Sequence, residues 1–346
     1  MKKMNLYSVR TFANKILNVR NMGQLCQVLN MNMYQLKLYS LNKQYKSYLQ
    51  QERQDKFRLI EFPTTPLMKL QHKLNQYLQA AYYLFQTPSA YGFVMSVKGE
   101  KKPKNILENA KKHLGNPYML KVDMKDFFHQ ISKQKVFEIF NEKPFRYNRS
   151  TALILSEIVT YKERLPMGAP TSPVLSNFAT VKLDNLMLDW ASKQQITYTR
   201  FADDLTFSNK SFSFTNYHLS QIIDICHQNN LYLNESKTTF YTDKDEKEVT
   251  GLLLHETIDI EKSFYYDLDK DIKRLKYIIE AAIIIKHNDD EIINKYKQEI
   301  RGKINFIGMI EGYQSAQYIQ YLQRFEEALQ PVDEQLFNRW THFNYL

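Results

Sequence analysis

The chain has 346 residues, of which 43% are hydrophobic, and it carries a formal net charge of +10. It is long enough to bury a large core, and the basic surface favours a polyanionic partner, nucleic acid before an anionic membrane. Two cysteines far apart in sequence exclude a cysteine-rich metal site and favour a reducing cytoplasm. No signal peptide is expected, and no apolar run reaches the roughly 18 residues that a membrane span needs.

The N-terminal part predicts helices and then one strand. Residues 1–55 are expected to form a helical extension, which includes the whole stretch MGQLCQVLNMNMYQLKLYSLNKQYKSYLQQE. The segment KFRLIEFP, 56–63, is short and β-prone and ends in proline, which predicts a strand. A helix is predicted next, with Pro66 in its first turn.

The middle of the chain alternates short strands and helices. Residues 119–122 predict a strand, KDFFHQIS opens a helix, and 149–160 predict another helix. After the turn-rich stretch LPMGAPTSP, one long helix is expected over VLSNFATVKLDNLMLDWASK, capped by Ser172 with Pro173 in its first turn.

The remaining elements begin with a hairpin at 198–208. A helix at 217–230, strands near 231–241 and 247–260, and helices from about residue 267 follow. The pattern is therefore α+β, with an antiparallel sheet in the middle and helices on one of its faces.

Three acids are candidates for a metal site. Asp203 and Asp204 lie in the predicted two-residue turn between TRFA and LTFS, and Asp123 ends the strand before KDFF. If that strand pairs with the hairpin, three carboxylates converge at one edge of the sheet. Two-metal phosphoryl transfer needs such hard oxygen ligands. Taken separately, Asp203-Asp204 is more typical of a solvated turn, and Asp123 is more typical of an acid at the start of a helix. Both stretches together with the sequence between them favour the metal site.

Four stretches resemble, in order, the core motifs of reverse transcriptases: KVDMKDFF, LPMGAPTSPVLSN, FADD and LNESKT. The resemblance implies an RNA-directed DNA polymerase with a right-hand fold. It implies fingers and palm over 56–260, with the fingers mainly in 56–117 and 142–172, and a helical thumb over 261–346 that binds RNA or duplex.

The resemblance also implies roles for individual residues near the acids. Asp123, Asp203 and Asp204 match the metal-binding acids, which take two Mg²⁺ ions or Mn²⁺ as a substitute. Lys237 matches a lysine beside the leaving pyrophosphate, a plausible proton donor. A solvated lysine at a strand edge is the alternative for Lys237.

Further residues match the nucleotide-binding positions of the family. Phe128, five residues after Asp123, matches the gate whose ring clashes with a ribose 2′-hydroxyl. Arg58 and Lys98 fall in the fingers, where basic side chains hold the template or the triphosphate.

The second and third motifs carry two departures from the family pattern. Gly168 and Pro170 match positions that allow the backbone to approach the nascent base pair closely. Met167 replaces the usual glutamine, and Phe201 replaces the usual tyrosine before Ala-Asp-Asp. These departures bear on nucleotide affinity and fidelity rather than on metal binding.

Two shorter signatures resemble those of retron reverse transcriptases. They are NAKKH, with Asn109 and His113, and VTG, which is Val249, Thr250 and Gly251. The resemblance implies that these residues help to recognise RNA. Taken alone, a helical histidine is more often a packing or capping residue, and VTG is a common strand end.

A retron enzyme would bind its cognate structured noncoding RNA, which is read largely by shape, phosphates and 2′-hydroxyls. It would use dNTPs to extend a guanosine 2′-hydroxyl and would release a branched RNA-linked single-stranded DNA, called msDNA. The resemblance further implies anti-phage defence with a separate effector protein and no membrane partner, and it leaves the oligomeric state open. The alternatives are another bacterial reverse transcriptase, above all a protein-primed abortive-infection polymerase, and a non-catalytic RNA-binding scaffold.

Overall fold

The computed structural model describes residues 4–53, 56–285 and 290–330, and the chain divides into two compact units, Met1–Thr250 and Gly251–Leu346. In the described residues the helices are α1 Leu6–Leu17, α2 Met22–Leu29, α3 Met33–Leu41, α4 Thr65–Phe85, α5 Ile106–His113, α6 Lys133–Asn141, α7 Arg149–Val159, α8 Ser172–Ala179, α9 Val181–Lys193, α10 Asn216–His227, α11 Lys262–Ile285, α12 Asp290–Glu311 and α13 Ala316–Leu329. The strands are β1 Tyr45–Arg53, β2 Lys56–Pro63, β3 Tyr118–Asp123, β4 Thr197–Phe201, β5 Asp204–Asn209, β6 Thr239–Tyr241, β7 Lys247–Val249, β8 Leu252–Leu254 and β9 Ile258–Ile260.

The predicted N-terminal helices are confirmed as far as Leu41. An asparagine caps each of them: Asn5, Asn21 and Asn32 each accept a hydrogen bond from the backbone N–H three residues later. These caps satisfy N–H groups that have no partner inside the helix. The apolar face of α1 packs against α4, which begins at Thr65 with Pro66 in its first turn, as predicted.

The helix predicted through residue 55 is wrong beyond α3. β1 pairs antiparallel with β2, with Leu49 opposite Leu59, so the predicted boundary at residue 55 falls inside a hairpin. The sequence of β1 is rich in Lys, Gln and Glu, which favour helices when nothing else acts on them. Pairing with β2 and the stacking of Tyr45 on Tyr161, with ring centroids 4.4 Å apart, override that preference.

The central sheet has the strand order β4-β5-β3-β6 and is antiparallel throughout, which confirms the α+β class. Helices cover it on both faces rather than on one. On one face Phe207 stacks on Tyr198 and meets Trp190 of α9. On the other face Thr199 and Ser208 lie under α5, so their small polar side chains are buried and not solvated.

The long helix predicted after LPMGAPTSP is two helices. α8 ends at Ala179 and α9 begins at Val181; the hydroxyl of Thr180, between them, donates to the Ser176 carbonyl at 2.9 Å. Such a bond to the preceding turn competes with the backbone ladder. Ser172 is not the cap that was predicted: it lies inside the first turn, and its hydroxyl donates to the Pro166 carbonyl at 2.7 Å.

The second unit consists of the β8–β9 hairpin and helices α11, α12 and α13, which pack on one another. Two ion pairs join its helices, Asp271 to Lys303 and Asp269 to Arg324. The helices predicted for the C-terminal region are confirmed as α11, α12 and α13. Residues 286–289 and 331–346 of that region lie outside the described residues. None of the described helices combines the length and apolar character needed to cross a membrane.

Candidate functional site

Strand pairing brings the three acids together. Asp123, the last residue of β3, lies opposite Asp204, the first residue of β5. The pairing of Phe201 with Asp204 closes the turn on Ala202 and Asp203, so the turn is one residue earlier than predicted. The Met124 N–H donates to the Asp203 carbonyl at 3.0 Å, which ties the turn to the end of β3.

Two of the acids, Asp203 and Asp204, are costly to ionise where they lie. Burial, together with the charge of Asp203, raises the pKa of Asp204 to about 6. Burial also raises the pKa of Asp203, and Asp123 adds to the effect. Three partly desolvated carboxylates at one edge of a sheet therefore favour a cation beside them.

Lys237 is the cation that the chain itself provides. Its Nζ lies 2.8 Å from each carboxylate oxygen of Asp123. It belongs to a short 3₁₀ turn, Glu235–Lys237, rather than to a strand edge, and the preceding Asn234 N–H donates to the Asp123 carbonyl at 2.7 Å. Partial burial works against its charge, but the bond to Asp123 and the neighbouring acids raise the pKa of the Lys237 ammonium.

The donor set fits a hard divalent cation in its chemistry. Three carboxylates on two rigid strands offer oxygen ligands of the kind that Mg²⁺ prefers. In the described part of the chain, no group of three or more His, Cys, Asp or Glu side chains is already arranged as a coordination sphere. Both oxygens of Asp123 are bonded to Lys237, so a metal ion would share this carboxylate with the ammonium or replace it there.

A cavity of about 400 Å³ opens beside the acids. It is lined, among others, by Asp123, Asp203, Lys237, Arg58, Phe128 and Met167. We refer to this cavity, which adjoins the acids that are expected to be catalytic, as the catalytic cleft. The Phe128 ring is held between Phe93 and Phe127, with centroids 5.9 and 5.6 Å away. Arg58 is also close enough for its charge to lower the pKa of Asp203 against the effect of burial.

Two of the predicted nucleotide-binding residues have different surroundings from those expected. Lys98 is exposed, is not among the residues that line the catalytic cleft, and donates its backbone N–H to the Met4 carbonyl at 2.8 Å. Gly168 has φ +122°, and a Cβ there would lie 2.9 Å from the Glu61 carbonyl oxygen. The close backbone approach at Gly168 is therefore to β2.

Glu61 is a residue that no sequence motif indicates. Its fully buried carboxylate pairs with Lys162 at 3.0 Å and Arg164 at 2.7 Å. Burial opposes its ionisation, yet these two cations lower the pKa of Glu61 below its usual value. Its backbone N–H donates to the Met167 carbonyl at 2.6 Å, so Glu61 joins β2 to the loop that carries Met167 into the cleft.

A second residue missed from the sequence is Arg200, just before the Phe-Ala-Asp-Asp stretch. Its fully buried guanidinium bonds both oxygens of Asp184 at 2.8 Å. Its Nη1 donates to the Asn177 side chain at 3.1 Å and to the Ala202 carbonyl at 3.0 Å. Arg200 therefore holds Ala202, the first residue of the turn between β4 and β5, from inside the protein.

The turn also has little room to move. Ala202 has φ +58°, a left-handed conformation that is uncommon outside glycine. Segment 89–91 pairs alongside β4, since the Tyr91 N–H donates to the Arg200 carbonyl at 2.8 Å. A Cβ on Gly92 would lie 2.5 Å from the Ala202 nitrogen, so only glycine fits against the turn.

Three of the residues that match the retron signatures are buried around α5. His113 is fully buried, with its ring nitrogens 2.7 Å from Ser208 Oγ and Thr199 Oγ1. Asn109 and Val249 are also buried. The Thr250 hydroxyl donates to the Ile106 carbonyl at 3.3 Å, so the second signature touches the helix that carries the first.

This burial corrects the expectation of direct RNA contact for three residues. The side chains of Asn109, His113 and Val249 are enclosed by protein, so in this structure they cannot reach an RNA. Thr250 is half-buried and Gly251 is exposed. The packing alternative therefore describes His113 correctly: it joins α5 to the central sheet.

The burial of His113 predicts a pH dependence of stability. Burial and the nearby Lys112 charge lower the pKa of His113 to about 3 from the ordinary 6.5. Below pH 6.5 His113 is protonated in the unfolded chain but stays neutral in the folded chain. The free energy of unfolding therefore falls as the pH falls, until about pH 3. Between pH 6.5 and 5 this should cost about 2 kcal/mol of the free energy of unfolding.

Urea unfolding of the wild type and of His113→Gln over that pH range checks this prediction. Glutamine can still bond two hydroxyls but does not titrate, so the stability difference between the two proteins should shrink as the pH falls. Equal losses in both proteins would show that His113 is not held neutral.

Comparisons with known proteins agree on one family. A family model described as reverse transcriptase (RNA-dependent DNA polymerase) matches residues 43–266. The chain is 27% identical to the retron Ec86 reverse transcriptase of Escherichia coli, over 94% of this chain and 94% of that protein. It is 25% identical to the retron Ec83 reverse transcriptase of Escherichia coli, over 77% of this chain and 83% of that protein.

Among solved structures, the chain resembles telomerase from Candida albicans in complex with a fragment of telomeric RNA. The TM-score is 0.43 at 13% identity, and the alignment covers 86% of this chain and 61% of the telomerase chain.

Proposed function

The chain belongs to the reverse transcriptase family of RNA-dependent DNA polymerases, and from this premise we propose that it makes a branched, RNA-linked DNA of the retron kind. The enzyme binds a cognate structured noncoding RNA and extends a guanosine 2′-hydroxyl with dNTPs to give msDNA. The observation that carries the chemistry is the register that sets Asp123 opposite Asp204, with Asp203 in the adjoining turn.

The three acids are the residues that would hold two Mg²⁺ ions, or Mn²⁺ in their place. When bound, such ions lower the pKa of the attacking hydroxyl and neutralise charge on the leaving pyrophosphate. The rigid pairing of β3 with β5 fixes Asp123 and Asp204 relative to each other before substrate arrives. Lys237, which lies beside Asp123, would supply the proton to the leaving pyrophosphate.

The walls of the catalytic cleft would position the nucleotide. Arg58 offers a cation for the triphosphate or the template, and Met167 offers an apolar contact where the family has an amide. Fingers, palm and thumb correspond in this proposal to the predicted ranges, with the β1–β2 hairpin added to the fingers.

Phe128 predicts the choice of sugar. In Phe128→Ala the ring that would meet a ribose 2′-hydroxyl is absent, so ribonucleotide incorporation should rise by about 10-fold or more relative to deoxynucleotide incorporation. A clash of this kind is worth about 1–3 kcal/mol. Single-nucleotide extension with dNTPs and rNTPs measures the ratio. Phe137→Ala, on α6 away from the cleft, is the matched control, and an unchanged ratio in Phe128→Ala would remove the gate assignment.

The biological setting is also part of the proposal. The full-length similarity to retron enzymes supports a cytoplasmic role in anti-phage defence, with a separate effector protein as partner. The helical second unit and the exposed Gly251 are the places where the cognate RNA would be read.

Nucleic acid that copurifies with the protein from its native locus tests the proposal. On a denaturing gel, a discrete DNA whose mobility shifts after RNase and after debranching enzyme is expected. DNA that resists both and remains attached to protein would identify a protein-primed polymerase instead. RNA without any DNA would identify a non-catalytic scaffold.

A further inference from the structure

A second cavity, of about 520 Å³, lies in the Met1–Thr250 unit and shares no lining residue with the catalytic cleft. Its apolar lining includes Phe85, Ile139 and Phe178, and its cationic lining consists of Arg20, Lys143 and Arg146. We call it the basic groove. Its size is in the range of pockets that hold small ligands or single units of a polymer.

The apolar part of the basic groove presents an aromatic ring over a closed floor. Ile139 and Phe178 are each 8% exposed and form the floor. Phe85, the last residue of α4, remains 46% exposed beside them. A half-exposed phenyl ring next to buried apolar side chains is suited to a flat, apolar group such as a nucleobase.

The rim carries positive charge that the protein does not neutralise. Among the described residues, no carboxylate pairs with Arg20, Lys143 or Arg146 within 4.0 Å. Arg20 is fixed in place, because its Nη1 donates to the Leu17 carbonyl at 2.6 Å and to the Val19 carbonyl at 2.8 Å. Three cations without a carboxylate partner around one apolar cavity favour an anionic ligand.

The loop that supplies two of these cations is preformed. Arg146 has φ +53°, and its N–H donates to the Glu142 carbonyl at 2.7 Å. Phe145 and Tyr147 on either side are buried, and the Tyr147 hydroxyl donates to the Ile16 carbonyl at 2.6 Å. A left-handed arginine persists only where its surroundings hold it, and such residues concentrate at binding sites.

We propose that the basic groove binds a short single-stranded segment of nucleic acid, with a base against Phe85 and phosphates on Arg20, Lys143 and Arg146. An aromatic ring within a cationic groove is the combination that binds single strands without sequence preference. This is a site beyond the catalytic cleft, and it keeps one strand on the enzyme while another segment occupies the cleft. An acidic peptide would satisfy the charge but would not need the exposed ring.

Fluorescence anisotropy with labelled oligothymidylate and oligouridylate of about 12 nucleotides tests the proposal. The double variant Lys143→Glu/Arg146→Glu should weaken binding about 10-fold and should lower the slope of log affinity against log salt by about 1.4, since each lost phosphate contact removes about 0.7. Phe85→Ala should weaken binding several-fold and leave the salt slope unchanged. The charge-matched control Lys37→Glu/Lys193→Glu, at two exposed lysines away from the groove, should bind within about twofold of the wild type.

Crosslinking separates the basic groove from the catalytic cleft. An oligonucleotide that contains 5-iodouracil should form a photocrosslink to the peptide that holds Phe85, and the groove variants should lose it. If the groove variants bind oligothymidylate and oligouridylate equally weakly, the groove contacts phosphates and bases whichever sugar is present. If they bind only one of the two more weakly than the wild type does, that oligonucleotide identifies RNA or DNA as the ligand. Primer extension run in parallel should be unchanged in the groove variants. A wild-type protein that does not extend primers would contradict the proposed polymerase activity, and this result is separate from binding in the basic groove.

Two results would overturn the proposal. One is unchanged oligonucleotide binding in Lys143→Glu/Arg146→Glu, with crosslinks confined to peptides of the catalytic cleft. The other is groove-dependent binding of a labelled glutamate-rich peptide that the oligonucleotides do not displace, which would identify the site as one for an acidic protein.

Discussion

Asp203→Asn should abolish DNA synthesis while the protein stays folded and continues to bind RNA. The amide keeps the shape of the side chain but removes an anionic oxygen from the site where a divalent cation would bind. Loss of that charge removes several kcal/mol of transition-state stabilisation, which corresponds to a rate loss on the order of 1,000-fold or more. Primer extension on an RNA template measures the rate, and a filter-binding assay measures RNA affinity.

The electrostatics of the turn separate loss of activity from loss of stability in Asp203→Asn. Because burial raises the pKa of Asp203, a neutral asparagine relieves a cost of folding, so the midpoint of thermal unfolding should stay the same or rise. Inactivity in this variant can then not be assigned to unfolding. Asp224→Asn, an exposed residue on α10, makes the same change of charge and should remain fully active. Undiminished synthesis in Asp203→Asn would refute the metal assignment.

The carboxylate cluster was predictable because each part of it is local in sequence. An apolar run that ends in Asp123, and two short β-prone runs around Asp203 and Asp204, are enough to place acids at strand ends. The exact turn was not predictable, since Ala-Asp and Asp-Asp are both acceptable loop pairs and only the register of β4 with β5 decides. The family match from residue 43 includes β1, which local propensity assigned to a helix.

The supports of the cluster were not predictable, because their partners are far apart in sequence. Glu61 is about a hundred residues from Lys162 and Arg164, and neither side carries a motif. Lys98, which the resemblance assigns to the fingers, is exposed and does not line the catalytic cleft, so its contact with the template or the triphosphate stays a prediction. Burial of a charge, which marks Glu61 and Arg200, is visible only in three dimensions.

The buried pair of Arg200 and Asp184 should matter for catalysis as well as for stability. Asp184→Asn leaves the guanidinium buried without its counter-charge and should lower the free energy of unfolding by about 3–5 kcal/mol. Loss of activity in Asp184→Asn alone would not show whether the ion pair positions the turn for catalysis or only stabilises the fold. The double variant Arg200→Met/Asp184→Leu does, because it removes both buried charges together. The buried hydroxyls of Thr87 and Tyr198 lose their acceptor in that variant, so its stability is only partly restored.

In the double variant, urea unfolding should show that part of the stability lost in Asp184→Asn has returned. DNA synthesis should nevertheless stay at least about 10-fold below the wild type, because the Ala202 carbonyl has lost its donor and the left-handed turn has lost its inner support. The loss should appear in kcat, with the KM for dNTPs nearly unchanged, since the walls of the catalytic cleft stay in place. If activity returned together with stability, Arg200 would be a folding residue only, and the position of Asp203 would have to be set by the strand pairing and by the contact of Gly92 with the turn.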